Sequence, residues 1–412
     1  MKKFKTYIEE SKNVHMEHIE DNVLNGGVTG ARDSINFLRS LRDALSGDSP
    51  NSVNATVKWD GAPAIFVGTD PSDGKFFVAK KGIFNKNPKV YKTPAEVDAD
   101  TSGDLADKLK LALKHLKGIK VDGVVQGDFL FSSNDLKREK IDGETYITFH
   151  PNTIAYAIPF DSKLGRQIKN STMGVVWHTT YRGDSFESMR ATFGADVKKM
   201  GKLPGVWMID ADYEDVSGSA TMTKSETKAV NHHLGLAGKV FNRIRPNILN
   251  SISDNDLLLM RMKVYHNSRI REGQEISNPL AHAKGLVMYL MDFEKKELDK
   301  RKSPAGKASF AKSFEGVKKF ISNTPLQQIA AIYELQMHLV HTKKLIINKM
   351  NQAAKLKTFL KTPRGFEITG EEGYVAIDHL SGNAVKLVDR LEFSYANFSS
   401  DVIKGWQSDI RK

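Results

Sequence analysis

The chain has 412 residues, enough for a large core and more than one domain, and its 40% hydrophobic and 27% charged content is that of a globular protein. No apolar run approaches the roughly 20 residues a membrane span needs, and the absence of cysteine excludes disulfides and thiolate metal sites. A formal net charge of +12 favours a polyanionic partner, most simply nucleic acid, against the plainer alternative of lysines scattered over every face.

The N-terminal stretch "MKKFKTYIEESKNVHMEHIE" carries lysines, but no apolar h-region or small-residue cleavage site follows, so it does not read as a signal peptide. Within it His15 and His18 stand at i and i+3, a spacing compatible with a metal. No third ligand is near, and a surface helix is the better reading. "NGGVTGARDS" would offer backbone N–H groups to an anion at a helix start, but it lacks a P-loop lysine and a preceding strand, so it reads as a plain loop. Ile35, Leu38, Leu41 and Leu45 recur at helical spacing, and "SGDSPNS" ends that helix. "NATVKWDGAPAIFVG" and "GKFFVAKKGIF" then flank "TDPSDG" as strands of a hairpin. A helix follows in "SGDLADKLKLALKHLKG", with Ser102 or Asp104 as N-cap, and three further strand regions in "DGVVQGDFLFS", "ETYITFHPNTIAYAIP" and "TMGVVWHTTYRG".

After about residue 222 the texture turns helical, with boundaries at Pro246, Pro279, Pro304 and Pro325; one helix is read from "TPLQQIAAIYELQ" through "KTFL". The run "EKKELDKRK" carries both signs, as a solvated helix face does. Strand texture returns in "GFEITGEEGYVAIDHLSGNAVKLVDRLEFS", and a short helical tail ends the chain. The organisation expected is α+β: an N-terminal helical segment over 1–50, a β-rich core over 51–184, a mainly helical insertion over 185–365, and the last core strands with the tail over 366–412.

Four charged residues interrupt apolar strands: Lys58 in "VKWDGAPAIFVG", Asp128 in "VVQGDFLF", Glu372 in "EEGYVAI" and Lys386 in "NAVKLVDR". Charges so placed are costly unless paired or bound to a ligand. "KWDG" resembles the KxDG motif of the covalent nucleotidyltransferases, the polynucleotide ligases and mRNA-capping enzymes. "AKKGIF", "QGDF", "EEGYV" and "VKLV" resemble that superfamily's later motifs in order and rough spacing, closest to the phage RNA ligases. The whole chain is also similar to an uncharacterised family of tailed-phage proteins, which implies the cytoplasm of an infected bacterial host.

The resemblance implies a ligase-like domain of two antiparallel sheets around a cleft, with Lys58 at its floor and the strands of 366–395 packed with the Lys58 hairpin. It implies ATP as donor and Mg2+ (or Mn2+) as cation. Lys58 would be the nucleophile that forms lysyl-AMP, with Asp60, Glu372 and Lys386 as its catalytic companions. Asp60 would orient the loop. Gly61, Lys80 or Lys81, Lys386 and Arg390 would lie along the nucleotide, while Asp128 and Glu372 would contact the ribose or hold the metal. Trp177, then Phe149, are the aromatics chosen to cover the purine, with core packing as the even alternative.

Three positions depart from the family pattern: Pro63 where arginine is frequent, Val388 where a second lysine is usual, and Asp128 where glutamate is commoner. About 22 residues follow Arg390, too few for the OB domain of DNA ligases and capping enzymes, which favours RNA over DNA as partner. Two alternatives stay open. One is nucleotidyl transfer to an acceptor other than nucleic acid. The other is a catalytically weak phage protein that binds nucleic acid or a virion component.

Overall fold

In the computed structural model, described over residues 17–46, 53–213, 221–352, 356–378 and 384–407, the β-branched and aromatic runs form three sheets. The first is antiparallel and joins β1 (Val53–Lys58), β13 (Gly373–Asp378) and β14 (Ala384–Leu387) in the order β1-β13-β14. Lys58 stands opposite Gly373, and Val375 lies opposite both Thr56 and Lys386. Residues directly opposite in a sheet share a face, and faces alternate along a strand, so Lys58 and Lys386 project from the same side.

The second sheet contains β2 (Ala64–Thr69), β3 (Phe76–Ala79), β4 (Val124–Ser132), β8 (Met173–Arg182) and β10 (Val206–Asp210), in the order β10-β8-β4-β2-β3. β9 (Arg190–Phe193) adds to β8, and β10 runs parallel to β8. β2 and β3 make the expected hairpin. The third sheet, β12-β11-β7-β6-β5, takes β5 (Lys137–Ile141), β6 (Glu144–Phe149), β7 (Ile154–Pro159), β11 (Lys357–Thr362) and β12 (Gly365–Ile368). The fold is therefore α+β, but with three sheets and one parallel pair among the described residues where two antiparallel sheets were expected. Alternation of apolar residues specifies a strand and its two faces without naming its partner, and the returning segment splits: 357–368 joins the third sheet and 373–387 the first.

α1 (Asn22–Asn25) and α2 (Gly27–Ser46) open the described chain. The glycines of "NGGVTGARDS" lie inside this helical pair instead of in a loop. A Cβ on Gly30 would come 2.0 Å from the Asn22 carbonyl oxygen, so glycine lets the two turns touch. His18 is extended and bridges to Lys386, not part of a surface helix; His15 lies outside the described residues.

α3 (Pro94–Asp100) and α4 (Gly103–His115) follow, the former closed by a capping box between Thr93 and Glu96. Leu109, Ala112 and Leu116 of the α4 region pack on Val125, Phe129, Val175 and Trp177 and cover one face of the second sheet. α5 is Lys163–Lys169. The helical block runs from α6 (Lys224–Arg243) through α7 (Pro246–Ser253), α8 (Asp256–Arg271), α9 (Pro279–Lys300) and α10 (Pro304–Asn323) to α11 (Leu326–Asn351). Prolines at the first turns of α7, α9 and α10 fit there because those N–H groups have no intrahelical partner. The block shares one core with α2 and with Tyr374, Ala376, Val385 and Leu387, so it backs the face of the first sheet opposite Lys58.

Helix occupies less of 185–365 than expected: β9, β10 and β11 lie inside that interval, and α11 stops at Asn351 before "KTFLKT" becomes a strand paired with β7. α12 (Arg390–Phe398) follows β14. Among the described residues no helix is long and apolar enough to cross a membrane.

Candidate active site

Lys58 ends β1 where the chain leaves the first sheet for the second, and the next three residues fix its direction. Trp59 buries its indole with its centroid 5.1 Å from the ring of Tyr156 on β7. Asp60 is buried and accepts from the Asn152 amide at 2.6 Å and from the N–H groups of Thr153 and Ile154 at 2.6 and 2.7 Å. Its own N–H donates to the Tyr156 hydroxyl at 2.8 Å. Both carboxylate oxygens are thus committed to the β6–β7 turn, so Asp60 orients the loop and is not aimed at a substrate. A Cβ on Gly61 would meet Asp128 Cβ at 2.5 Å and the Phe129 carbonyl at 3.0 Å. Gly61 is therefore glycine so that this loop can lie against β4, not to open a ligand path.

Above this anchor the charged groups gather. Lys58 Nζ makes an ion pair with Glu372, the residue just before β13; the Lys58 side chain is 30% exposed and that of Glu372 10%, so the amine can be reached from solvent while its partner is covered. Burial pushes the Glu372 carboxyl up to about 7, against the pull of Lys58, and the charges of Asp60 and Asp128 add to the rise. Burial likewise pushes Asp128 up to about 7; Lys58 and Lys81 draw it down, and Asp60 raises it. His178 Nε2 is 3.6 Å from Asp128, and its Nδ1 lies 2.8 Å from the Thr179 hydroxyl. Burial, then Lys58, lower His178 to about 4, so it stands neutral beside the acid. Lys386 is lowered by burial and by the charges of Lys58 and Lys81, with Glu372 and Glu17 opposing. Lys58, Lys81, Asp128, Glu372 and Lys386, drawn from five separate stretches, therefore share one electrostatic neighbourhood.

Four of the expected nucleotide contacts lie elsewhere. Trp177 is fully buried between the second sheet and α4, its side chain in the core with Phe129 and Leu109. Phe149 is buried with Phe131 and Tyr156 between the second and third sheets. Neither can cover a base. Lys80 is held by Asp100 at 2.9 Å, and Arg390 is turned to Asp21 at 2.8 Å and Glu20 at 3.4 Å. Val388, in the position usually held by a second lysine, is buried; a Cβ on Gly373 would meet its Cγ2 at 2.5 Å.

Three groups went unnoticed in the sequence. His178 follows Trp177 and, by the alternation of side chains along β8, lies on the face of Val176, the residue paired with Asp128. Glu371, the first acid of "EEGYV", is buried and pushed up to about 8, with one carboxylate oxygen lacking a partner; the acidic doublet was the available signal. Glu371 and Glu372 line a pocket with Asp60, Thr153, Gly373 and Asn397. Third, Phe66, Phe84 and Tyr181 form an aromatic cluster on the Asp128 face of the second sheet, where Tyr181 donates to Gln126 at 2.7 Å.

The chain belongs to DUF6267, a family of unknown function, whose model matches residues 13–402. No curated protein and no solved structure matches it.

Proposed function

We propose that the protein is an ATP-dependent nucleotidyltransferase of the RNA-ligase kind that works through a covalent lysyl-AMP on Lys58. The observation that carries this reading is the meeting, around a partly exposed Lys58, of Asp128, Glu372 and Lys386, the charges whose motifs resemble that superfamily. Attack needs a neutral amine. The ion-paired ammonium of Lys58 first gives one proton to solvent; as the neutral Nζ then bonds to the α-phosphorus of ATP, a second proton passes to Glu372, the carboxylate already in contact with it. The P–O bond to the β-phosphate breaks and pyrophosphate leaves with that electron pair. Lys81 and Lys386 supply positive charge for the triphosphate, since phosphoryl transfer is mostly positioning and charge neutralisation. Phe84, half-buried at the edge of the Phe66–Tyr181 cluster, replaces Trp177 and Phe149 as the aromatic for the purine.

Asp128 and Glu372 are oxygen donors, and the charge of Asp128 is felt at Glu372, a chemistry that fits Mg2+ or Mn2+. Such an ion would contribute further neutralisation of the phosphates. The net charge of +12 supports an RNA end as acceptor, to which the adenylyl group is passed for joining or repair. Incubation with α-labelled ATP and Mg2+, followed by denaturation, is expected to leave label on the wild type and none on Lys58→Ala, with GTP run as a second donor. Absence of label with either nucleotide would sink the enzymatic reading and leave the binding-protein alternative.

A further inference from the structure

We infer that His233 on α6, with His338 and His341 on α11, forms a binding site for one divalent transition-metal cation of the Zn2+ type, independent of the Lys58 cleft. One ring nitrogen from each histidine lies within 4.8 Å of the other two. The Nδ1 atoms of His233 and His338 face each other at 3.5 Å. Two nitrogens bound to one tetrahedral ion at about 2.0–2.1 Å each must stand about 3.3–3.4 Å apart, so this pair already has nearly the required separation. His338 and His341 are three residues apart on one helix, which puts them on one face.

The third histidine supplies the independent sign. His341 Nδ1 is buried with no hydrogen-bond partner, an arrangement that costs free energy unless something else meets that nitrogen. A hydrogen bond between His233 and His338 would satisfy those two rings and leave His341 unexplained, whereas a cation serves all three. The surroundings are suitable. His338 is buried while His233 and His341 are half-buried, so an ion has a route in. Glu334, one turn before His338, is engaged by Arg243 at 2.8 Å, and the fourth position is left to water. Imidazole nitrogens select Zn2+, Co2+ or Ni2+ over Mg2+ and Ca2+. Bound there, the ion would pin α6 to α11.

The test uses the full chain without a polyhistidine tag, stripped with EDTA and dialysed into buffer with millimolar Mg2+ to occupy oxygen sites. Titration with Co2+ is expected to give one equivalent with the visible absorption of a low-coordinate nitrogen site, displaced by Zn2+. His233→Gln and His341→Gln, both at half-buried positions, should each weaken binding by at least roughly 10–100-fold, the range reached when only an outer partner of a ligand is lost. Circular dichroism confirms that the variants are folded. Failure of Co2+ to bind the wild type, or binding unchanged in the folded double variant, would overturn the site. Nucleotide labelling at Lys58 is read separately, so neither result stands in for the other.

Discussion

The charges around Lys343 and those around Lys58 are drawn from the same residue types, yet only one group is closed on itself. Lys343 of α11 donates to both oxygens of Glu20 at 2.7 and 2.8 Å, and both side chains are fully buried. Arg390 holds Asp21 and reaches Asn267 and Glu20, while Gln336 donates to the Glu20 carbonyl at 3.0 Å. Burial by itself would raise the Glu20 carboxyl, but Lys343, His18 and Arg390 hold it well below the usual carboxylate range. Around Lys58 the pairing is incomplete: among the described residues Asp128 has only a neutral histidine at 3.6 Å, Glu371 keeps an unpartnered oxygen, and neither Lys81 nor Lys386 makes an ion pair. The difference teaches where to look for function. Charges saturated by the protein hold segments together, and charges left short of partners are suited to a ligand that brings its own.

The sharpest way to break this comparison is to remove one lysine from each cluster. Lys343→Met leaves a buried Glu20 with only the longer contact to Arg390 at 3.4 Å and is expected to cost about 3–5 kcal/mol in urea unfolding. Lys58→Met should cost no more than about 1 kcal/mol, because Lys58 is partly exposed and Glu372 can take up a proton. Equal losses would erase the distinction between a structural and a functional cluster. A smaller effect is expected at Asp60, which belongs to the saturated kind although it adjoins the cleft. Asp60→Ala strands two backbone donors and an amide and should cost about 1–3 kcal/mol, with slower labelling of Lys58 as the loop loses its anchor. Unfolding curves and labelling rates measured on one preparation separate the two consequences.

The most diagnostic effect is in pH. Asp128, Glu371 and Glu372 have carboxyls raised in the fold, so the folded chain holds more protons than the unfolded one between their unfolded and folded values. Their contribution is therefore fully present below about pH 4 and is lost as pH rises towards about 8. Glu20 is lowered, so its contribution is present above its unfolded value and lost as pH falls. In EDTA, Glu371→Gln should raise stability at pH 8 by about 1–2 kcal/mol relative to wild type and change little at pH 5. A larger gain at pH 5 than at pH 8, followed by thermal melts across this range, would show that Glu371 is not held protonated.

Much of the charge cluster around Lys58 was legible because a charge inside an apolar strand is costly wherever the strand goes, and Lys58, Asp128, Glu372 and Lys386 all carry that mark. The β2–β3 hairpin and the proline-led helices were legible for local reasons, turn chemistry and helix starts. The aromatics were not. Trp177 and His178 are adjacent and point to opposite faces of β8, and which of them is buried depends on which side of the second sheet α4 covers, which no local pattern announces. Arg390 and Lys80 were lost for a related reason: a cation near a motif goes to the nearest acid in space, and those acids, Asp21 and Asp100, come from other elements.

The sequence by itself determined the α+β character, the helical stretch of the second half and the presence of costly charges in particular strands, because propensity, periodicity and desolvation act on neighbours along the chain. Only the tertiary structure decided that there are three sheets, that Lys58 meets Glu372 while Lys343 meets Glu20, and that three histidines from two helices face one another. Ion pairing falls off with distance in space, not along the chain, so these outcomes were settled by which distant segments packed together.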